Sequence, residues 1–332
     1  MTFSFIIPVY NRPEEIEELL ESLTKQNSKE IFDVLIVEDG STITCENVVA
    51  NYKGKLNITY YLKYNSGPGD SRNFGMTQSR SDYFIILDSD CILPENYFTE
   101  VLNSLNDEYA DCFGGPDAML PSFSKIQKAI NFSMTSIITT GGVRGGSEKI
   151  QKFQPRSFNM GISKKAFEAS KGFSNIHPGE DPDLSIRLWK LGFKTKLISK
   201  AFVYHKRRID WDKFYTQVNK FGKTRPILNK WYPEYQSFTF FMPSLFVIGF
   251  IIGVVLLIFT VDWILKLYFG YTVLVFIISS FQNKNLYIGY LSIIAMWKQF
   301  FAYGLGFMTS FFKINILKQN PQEAFPELFF KV

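Results

Sequence analysis

Asp88 and Asp90 stand one residue apart at the end of the apolar run Tyr83-Phe84-Ile85-Ile86-Leu87. Period-two alternation sends both carboxylates out on the same side of a strand, and two oxygen ligands on one side suit a hard divalent cation. The plainer alternative for a lone Asp-x-Asp is a turn or a helix cap, so the chemistry depends on what converges there. Glu38 and Asp39 close another apolar stretch, Phe32 to Val37, and Arg72 follows the turn Asn65-Ser66-Gly67-Pro68-Gly69. Acids for a cation, backbone donors from turns and an arginine together suit a diphosphate compound delivered with its metal. Asp39 would accept from a base or a ribose hydroxyl. In the alternative, Arg72 is a solvated charge on an ordinary exposed helix over Asp70 to Gln78.

These side chains need elements that end together. Phe3 to Val9 reads as a first strand, Asn11-Arg12-Pro13 breaks it, and Ile16, Leu19, Leu20 and Leu23 then recur at helical spacing as one apolar stripe. Phe32 to Val37, Ile58 to Leu62 and the run ending at Asp88 are the next three strands. Strands alternating with helical stretches predict an α/β fold with a parallel sheet, whose strand ends line one edge where ligands gather. Pro8 to Asn11, Glu38-Asp39 and Asp88-Asp90 are therefore expected to meet in one crevice.

Composition narrows the classes. The chain has 332 residues, 46% of them hydrophobic, with 34 Phe and 17 Tyr, enough for a sizeable core. From Phe238 onward it is apolar and nearly free of acids, so the soluble and membrane-like parts differ. The formal net charge of +5 is modest, and without a recognition motif the basic residues argue against nucleic acid. Cys45, Cys91 and Cys112 are scattered, which fits a reducing compartment and neither a disulfide framework nor a zinc site. The N-terminus opens on a strand with no basic n-region, so no signal peptide is expected.

Phe5-Ile6-Ile7-Pro8-Val9-Tyr10-Asn11, Val37-Glu38-Asp39-Gly40-Ser41, Ser71-Arg72-Asn73-Phe74-Gly75 and Leu87-Asp88-Ser89-Asp90 resemble the successive signatures of family 2 glycosyltransferases with the GT-A fold. The resemblance covers most of residues 1–230. It implies that Pro8, Tyr10, Asp39 and Arg72 border the nucleotide, that Asp88 and Asp90 flank the diphosphate, and that Asp90 is the principal ligand of Mg2+ or Mn2+. Asn11 and Glu38 are counted with the donor side, although Glu38 departs from the commoner acid or amide pair at that motif.

Phe123 to Thr140 is expected to be helical, ending near Gly141-Gly142-Val143-Arg144-Gly145-Gly146, either a flexible linker or a lid that excludes water from the donor. Phe158-Asn159-Met160-Gly161 resembles the family's acceptor-side turn, which places Asn159 and Gly161 near the transferred sugar. In His177-Pro178-Gly179-Glu180-Asp181-Pro182-Asp183, Asp183 can pair with Arg187 and all three acids can load the first turn of a helix. An inverting displacement of a diphosphate, however, needs a base for the acceptor hydroxyl. Glu180-Asp181 resembles the family's Glu-Asp motif, with Asp181 as that base. By the same resemblance His205, after Phe202-Val203-Tyr204, is a third metal ligand, and Gln217 and Arg225 face the donor diphosphate or the acceptor.

Phe238 to Val261 is long and apolar enough to cross a bilayer, and Ile264 to Phe281 makes a second span with Lys266 snorkelling. Leu286 to Phe312 carries Lys298 and Gln299 and reads either as a span or as an interfacial helix. The expected organisation is a catalytic domain over 1–230, a membrane region over 238–312 and a tail over 313–332. Lys206, Arg207, Arg208, Lys213, Lys220, Lys223 and Lys230 precede the first span, which by the positive-inside rule puts the catalytic domain on the cytoplasmic side of the inner membrane. The function expected is metal-dependent, inverting transfer of a sugar from a nucleotide donor to a lipid-linked or growing glycan acceptor, in cell-surface polysaccharide or glycan synthesis. The alternatives are transfer onto a polyprenyl phosphate, which needs no base, and a sugar-nucleotide-binding membrane scaffold without turnover.

Overall fold

The computed structural model describes residues 1–118, 123–140, 153–205 and 210–330. The glycine-rich 141–146 stretch lies outside the described residues. In chain order the strands are β1 Phe3–Val9, β2 Phe32–Asp39, β3 Asn57–Lys63, β4 Tyr83–Leu87, β5 Cys91–Ile92, β6 Cys112–Gly114, β7 Asp117–Ala118, β8 Asn159–Ser163, β9 Thr195–Leu197 and β10 Val203–His205. The helices are α1 Pro13–Thr24, α2 Glu46–Ala50, α3 Pro68–Gln78, α4 Tyr97–Asp107, α5 Lys125–Thr135, α6 Ile137–Thr140, α7 Lys164–Ser170 and α8 Glu180–Lys190. They continue with α9 Trp211–Trp231, α10 Met242–Leu257, α11 Trp263–Asn283 and α12 Leu286–Phe311.

The chain forms two compact units, one of Met1–Leu120, Gly146–Lys206 and Phe329–Val332, the other of Pro121–Gly145 and Arg207–Leu328. Helices α5 and α9 fall in the second unit with the apolar helices, their buried faces packing on α12.

The first unit is built on a seven-stranded sheet in the order β3-β2-β1-β4-β8-β6-β9. β1 to β4 are mutually parallel neighbours as predicted, but β8 runs antiparallel to both β4 and β6, so the sheet is mixed and not wholly parallel. The continuous apolar runs of the interior strands bury both faces. Phe3, Phe5, Ile7 and Val9 of β1 with Tyr83, Ile85 and Leu87 of β4 pack under α1 and α4. Ile6, Phe84 and Ile86, one residue out of phase, pack on the opposite face with Met76, Leu184 and Leu188 of α3 and α8. Ile16, Leu19, Leu20 and Leu23 of α1 are all buried, the predicted stripe, each contributing about 1.5–3 kcal/mol on burial. Cys45, Cys91 and Cys112 are free thiols and buried.

In the second unit α12 packs along α9 and α5, joining Ile130, Met134, Phe214, Val218, Ala295 and Ala302. Its Lys298 and Gln299 have partners on α9 and α5. Gln299 accepts from Ser133 at 3.0 Å, and Lys298 lies 3.9 Å from Asp212 and over the Tyr215 ring. Phe238–Leu257 and Trp263–Asn283 are long and apolar enough to cross a membrane, with mean hydropathies of 2.6 and 1.8. They are only 17% and 11% buried, which is not how a soluble protein treats core helices of that composition.

Candidate active site

β1, β2 and β4 all end at the same edge of the sheet, and the loops that follow carry the candidate residues. Glu38 and Asp39 are consecutive in β2, so alternation sends them to opposite sides. Asp39 faces the α3 turn: Oδ1 accepts from Lys63 Nζ at 2.8 Å and the Ser66 N–H at 3.0 Å, and Oδ2 accepts from the Gly67 N–H at 3.0 Å. Glu38 goes the other way and is fully buried. It accepts from the Cys45 N–H at 2.8 Å, the Cys45 thiol, the Tyr60 hydroxyl at 3.1 Å and Ser41 Oγ. The donor-side placement of Glu38 is therefore corrected: its lone pairs are used inside the fold, where it holds the loop after β2.

Asn11 is likewise a loop clamp. At φ +53 its Oδ1 accepts from the Thr42 and Ile43 N–H groups at 2.8 and 3.0 Å, so it joins the ends of β1 and β2. Pro8 is buried within β1, whereas Tyr10 is 52% exposed at the rim and open to a ligand.

β4 ends at Leu87, and the chain turns through Asp88-Ser89-Asp90. Strand alternation stops applying there, and the two carboxylates take different partners. Asp88 Oδ1 accepts from Arg72 Nη2 at 2.7 Å. Asp90 Oδ2 accepts from Arg12 Nη1 at 2.6 Å, and its buried Oδ1, without a hydrogen bond among the described residues, lies 3.1 Å from His205 Nε2. Asp90, Cys91 and His205 bring ligand-type atoms within 4.8 Å of one another. Burial raises the Cys91 thiol well above its ordinary range, which makes the thiol a poor member of that set. Burial would also raise Asp90, but His205 and then Arg12 outweigh it and hold the carboxyl low. A buried, ionised carboxylate oxygen beside an imidazole fits a hard divalent cation, so Asp90 and His205 suit a metal, with Asp88 outside the tight cluster. The His205 ring is stacked on Phe158, centroids 4.9 Å apart, which fixes its plane. Arg12 escaped the sequence reading, where it served only to break β1. A basic residue just after the first strand, at the ligand edge, was the available signal.

Arg72 is 3% exposed and not a solvated surface charge. Its guanidinium reaches Asp88 and, at 3.3 Å, Glu180 Oε1, and stacks near the Phe173 ring. His177 Nδ1 meets the same Glu180 oxygen at 2.8 Å. Burial would raise the Glu180 carboxyl, but His177 and Arg72 hold it down at about 2. Asp181, next in α8, is hydrogen-bonded with Ser157, while its buried Oδ1 has no hydrogen-bond partner among the described residues. Burial, and then the charge of Glu180, push its carboxyl up to about 6. Asp183 pairs with Arg187 at 2.7 Å and is a structural helix residue, as its spacing predicts.

Asn159 and Gly161 do not present themselves to an acceptor. Asn159 is fully buried in β8, accepting from Tyr97 Oη at 2.6 Å and donating to the Ala201 carbonyl at 2.8 Å. A Cβ at Gly161 would come within 2.0 Å of the Phe113 ring, so that glycine exists to let the ring pack. Both acceptor assignments are corrected to core roles. Gln217 and Arg225 lie on α9 in the second unit, where Arg225 stacks over Phe240 at 3.9 Å and is hydrogen-bonded to Tyr303.

Comparison with known proteins gives this geometry a context. Poly(ribitol-phosphate) beta-N-acetylglucosaminyltransferase TarS of Staphylococcus aureus is 35% identical over 114 residues, 33% of this chain and 20% of TarS. The GalNAc(5)-diNAcBac-PP-undecaprenol beta-1,3-glucosyltransferase of Campylobacter jejuni is 26% identical over 202 residues, 60% of this chain and 62% of that enzyme. The chain thus spans about a fifth of TarS and under two thirds of the Campylobacter enzyme. Among solved structures, TarS 1-349 superposes with a TM-score of 0.50 at 19% identity, covering 96% of this chain and 92% of the other. The mannosyltransferase PcManGT from Pyrobaculum calidifontis, in complex with GDP-Man and Mn2+, gives 0.54 at 14% identity over 69% and 64%. At these identities the likeness is one of fold, and it bears out the expected GT-A architecture. A sequence profile described as Glycosyl transferase family 2 matches residues 4–169, half of the chain and the part that holds β1 to β4 and their loops. By its sequence motifs, its sheet and this match together, the chain belongs to glycosyl transferase family 2.

Proposed function

We propose that the protein is a membrane-anchored, metal-dependent, inverting glycosyltransferase that moves a sugar from a nucleotide donor to a hydroxyl of a lipid-linked or growing glycan. The observation that carries this reading is Arg72. One buried guanidinium binds Asp88 on the cation side and Glu180 on the base side, so the groups for the leaving diphosphate and for the attacking hydroxyl are held by one residue.

Asp39 keeps one lone pair of Oδ2 for a nucleobase or ribose donor, and Tyr10 covers the rim. Asp90 and His205 would hold Mg2+ or Mn2+, which when bound supplies charge neutralisation for the departing diphosphate. Asp181 Oδ1 takes the proton of the acceptor hydroxyl as that oxygen attacks the anomeric carbon. The bond from that carbon to the diphosphate breaks, and its electron pair leaves with the nucleoside diphosphate. A carboxyl at about 6 is ionised at neutral pH and still basic enough to help, which favours a hydroxyl acceptor over a phosphate one.

The activities named for two relatives, a poly(ribitol-phosphate) transferase and an undecaprenol-diphosphate-linked glycan transferase, support a polymeric or lipid-linked acceptor. The two apolar helices support attachment to a membrane, and the lysines of α9 before the first of them support a cytoplasmic catalytic domain. The test is a binding screen of UDP-, GDP-, CMP- and dTDP-sugars with and without Mn2+, on wild type and Asp90→Ala. Stabilisation by one nucleotide class that needs metal and vanishes in the variant is expected. No metal-dependent binding of any donor would overturn the reading.

A further inference from the structure

After residues 207–328 the chain rejoins the first unit at Phe329. It adds one antiparallel bridge there, Phe329 to Ile176, and the Phe330 N–H donates to the Asn175 carbonyl at 3.0 Å. This pairing sets the Phe330 ring in a cleft lined also by Ser66, Asn73, Phe173 and His177. The ring centroid lies 5.9 Å from that of His177. On its other side is Gly67, where a Cβ would come within 2.3 Å of the Phe330 ring. Gly67 has φ +94, so both its backbone and its neighbour call for glycine.

Two loops of the candidate site meet at this ring. Gly67 begins α3 and gives its N–H to Asp39, the donor-side acid. His177 gives its Nδ1 to Glu180, the neighbour of Asp181. Gly67 has no side chain of its own to pack against the rest of the fold, whereas an aromatic ring supplies a large rigid contact at small cost in side-chain entropy. We propose that Phe330 is a positioning residue: it clamps the Ser66-Gly67 turn against the Asn175–His177 loop and so presets Asp39 for the nucleotide and the Glu180-Asp181 pair for the acceptor. The proposal rests on the donor-and-base reading above. Ordering the two loops before the donor arrives removes a cost that binding would otherwise carry.

The test is calorimetric binding of UDP, GDP, CDP and dTDP in Mn2+ to the full chain carrying Phe330→Ala, Phe330→Tyr, Asp39→Asn or Phe330→Ala with Asp39→Asn. Phe330→Ala is expected to weaken the nucleotide that wild type binds about 5- to 20-fold, and Phe330→Tyr, which keeps the ring, to recover most of that loss. If Phe330 acts through the turn that Asp39 holds, the double variant binds no worse than Asp39→Asn alone. Should Phe330→Ala fail to fold by circular dichroism, Phe330→Leu carries the same comparison. Equal affinity of wild type and a folded Phe330 variant, or strictly additive losses, would overturn the clamp and leave the proposed function standing. A wild type that binds none of the four nucleotides with Mn2+ overturns the proposed function, and the clamp with it.

Discussion

Asp90 and Asp181 are both largely enclosed in the first unit, yet their surroundings treat them in opposite ways. Asp90 is flanked by the Arg12 guanidinium and the His205 imidazole, which hold its carboxyl low against the pull of burial. For Asp181, burial and then the charge of Glu180 outweigh the Arg72 guanidinium, which is shared with Asp88 and Glu180, and the hydrogen bonds with Ser157. A carboxylate kept charged suits the holding of a cation, and one left free to change its protonation suits proton transfer. The same residue type is thus specialised by which cations reach it.

The comparison breaks most visibly at Asp90. Asp90→Ala is expected to abolish metal-dependent nucleotide binding and to lower sugar transfer by about 1,000-fold or more, read by calorimetry and product assay. Asp181→Asn should leave nucleotide binding nearly intact while transfer falls about 100- to 10,000-fold, the range for losing a general base. If both variants lost nucleotide binding alike, the division of labour between them would collapse.

The pH dependence sharpens the same contrast. Because Asp181 must be ionised to accept a proton, transfer should rise with pH through about 6 and then level off. Stability runs the other way. The folded carboxyl titrates above its unfolded value of about 4, so the folded state binds the proton more tightly and loses stability as pH rises from about 4 to about 6. Asp181→Asn removes that loss, and thermal unfolding at pH 7.5 should show the variant more stable than wild type by on the order of 1–3 kcal/mol. The smallest effect is expected at Glu38→Gln. Its amide would oppose donors from Cys45 and Tyr60 and cost about 1–3 kcal/mol in denaturant melts, with the folded fraction transferring sugar within about two-fold of wild type.

The sheet was largely legible, because β1, apart from Ser4, and β4 are apolar runs and helix α1 carries a clean stripe. The reversal at β8 was not, since Asn159-Met160-Gly161-Ile162-Ser163 pairs on both sides and nothing local to it encodes direction. Arg72, Asp90, Asp181 and His205 could be singled out in the sequence because charged and titratable residues beside apolar runs are costly to bury without purpose. The sequence misled where a motif gave residue identity without side-chain direction. Glu38 and Asp39 cannot share a crevice from adjacent positions of one strand, and the same alternation, applied to Asp88 and Asp90, fails because β4 has already ended. Asn159 was read as a contact because its tetrapeptide resembles the family's acceptor-side turn, and its partners Tyr97 and Ala201 show it as a core strut.

The three native thiols carry a practical consequence. Cys45, Cys91 and Cys112 are buried, and burial raises each above the ordinary thiol range. Thiolates are the species that maleimides and iodoacetamides attack, so the folded protein offers these reagents little. A single cysteine introduced at Tyr64 or Ile31, 95% and 85% exposed, would therefore accept a fluorophore or spin label on an otherwise unaltered background. A label at Tyr64, beside the Lys63 that pairs with Asp39, can follow that loop through a turnover without first stripping the protein of its own sulfur.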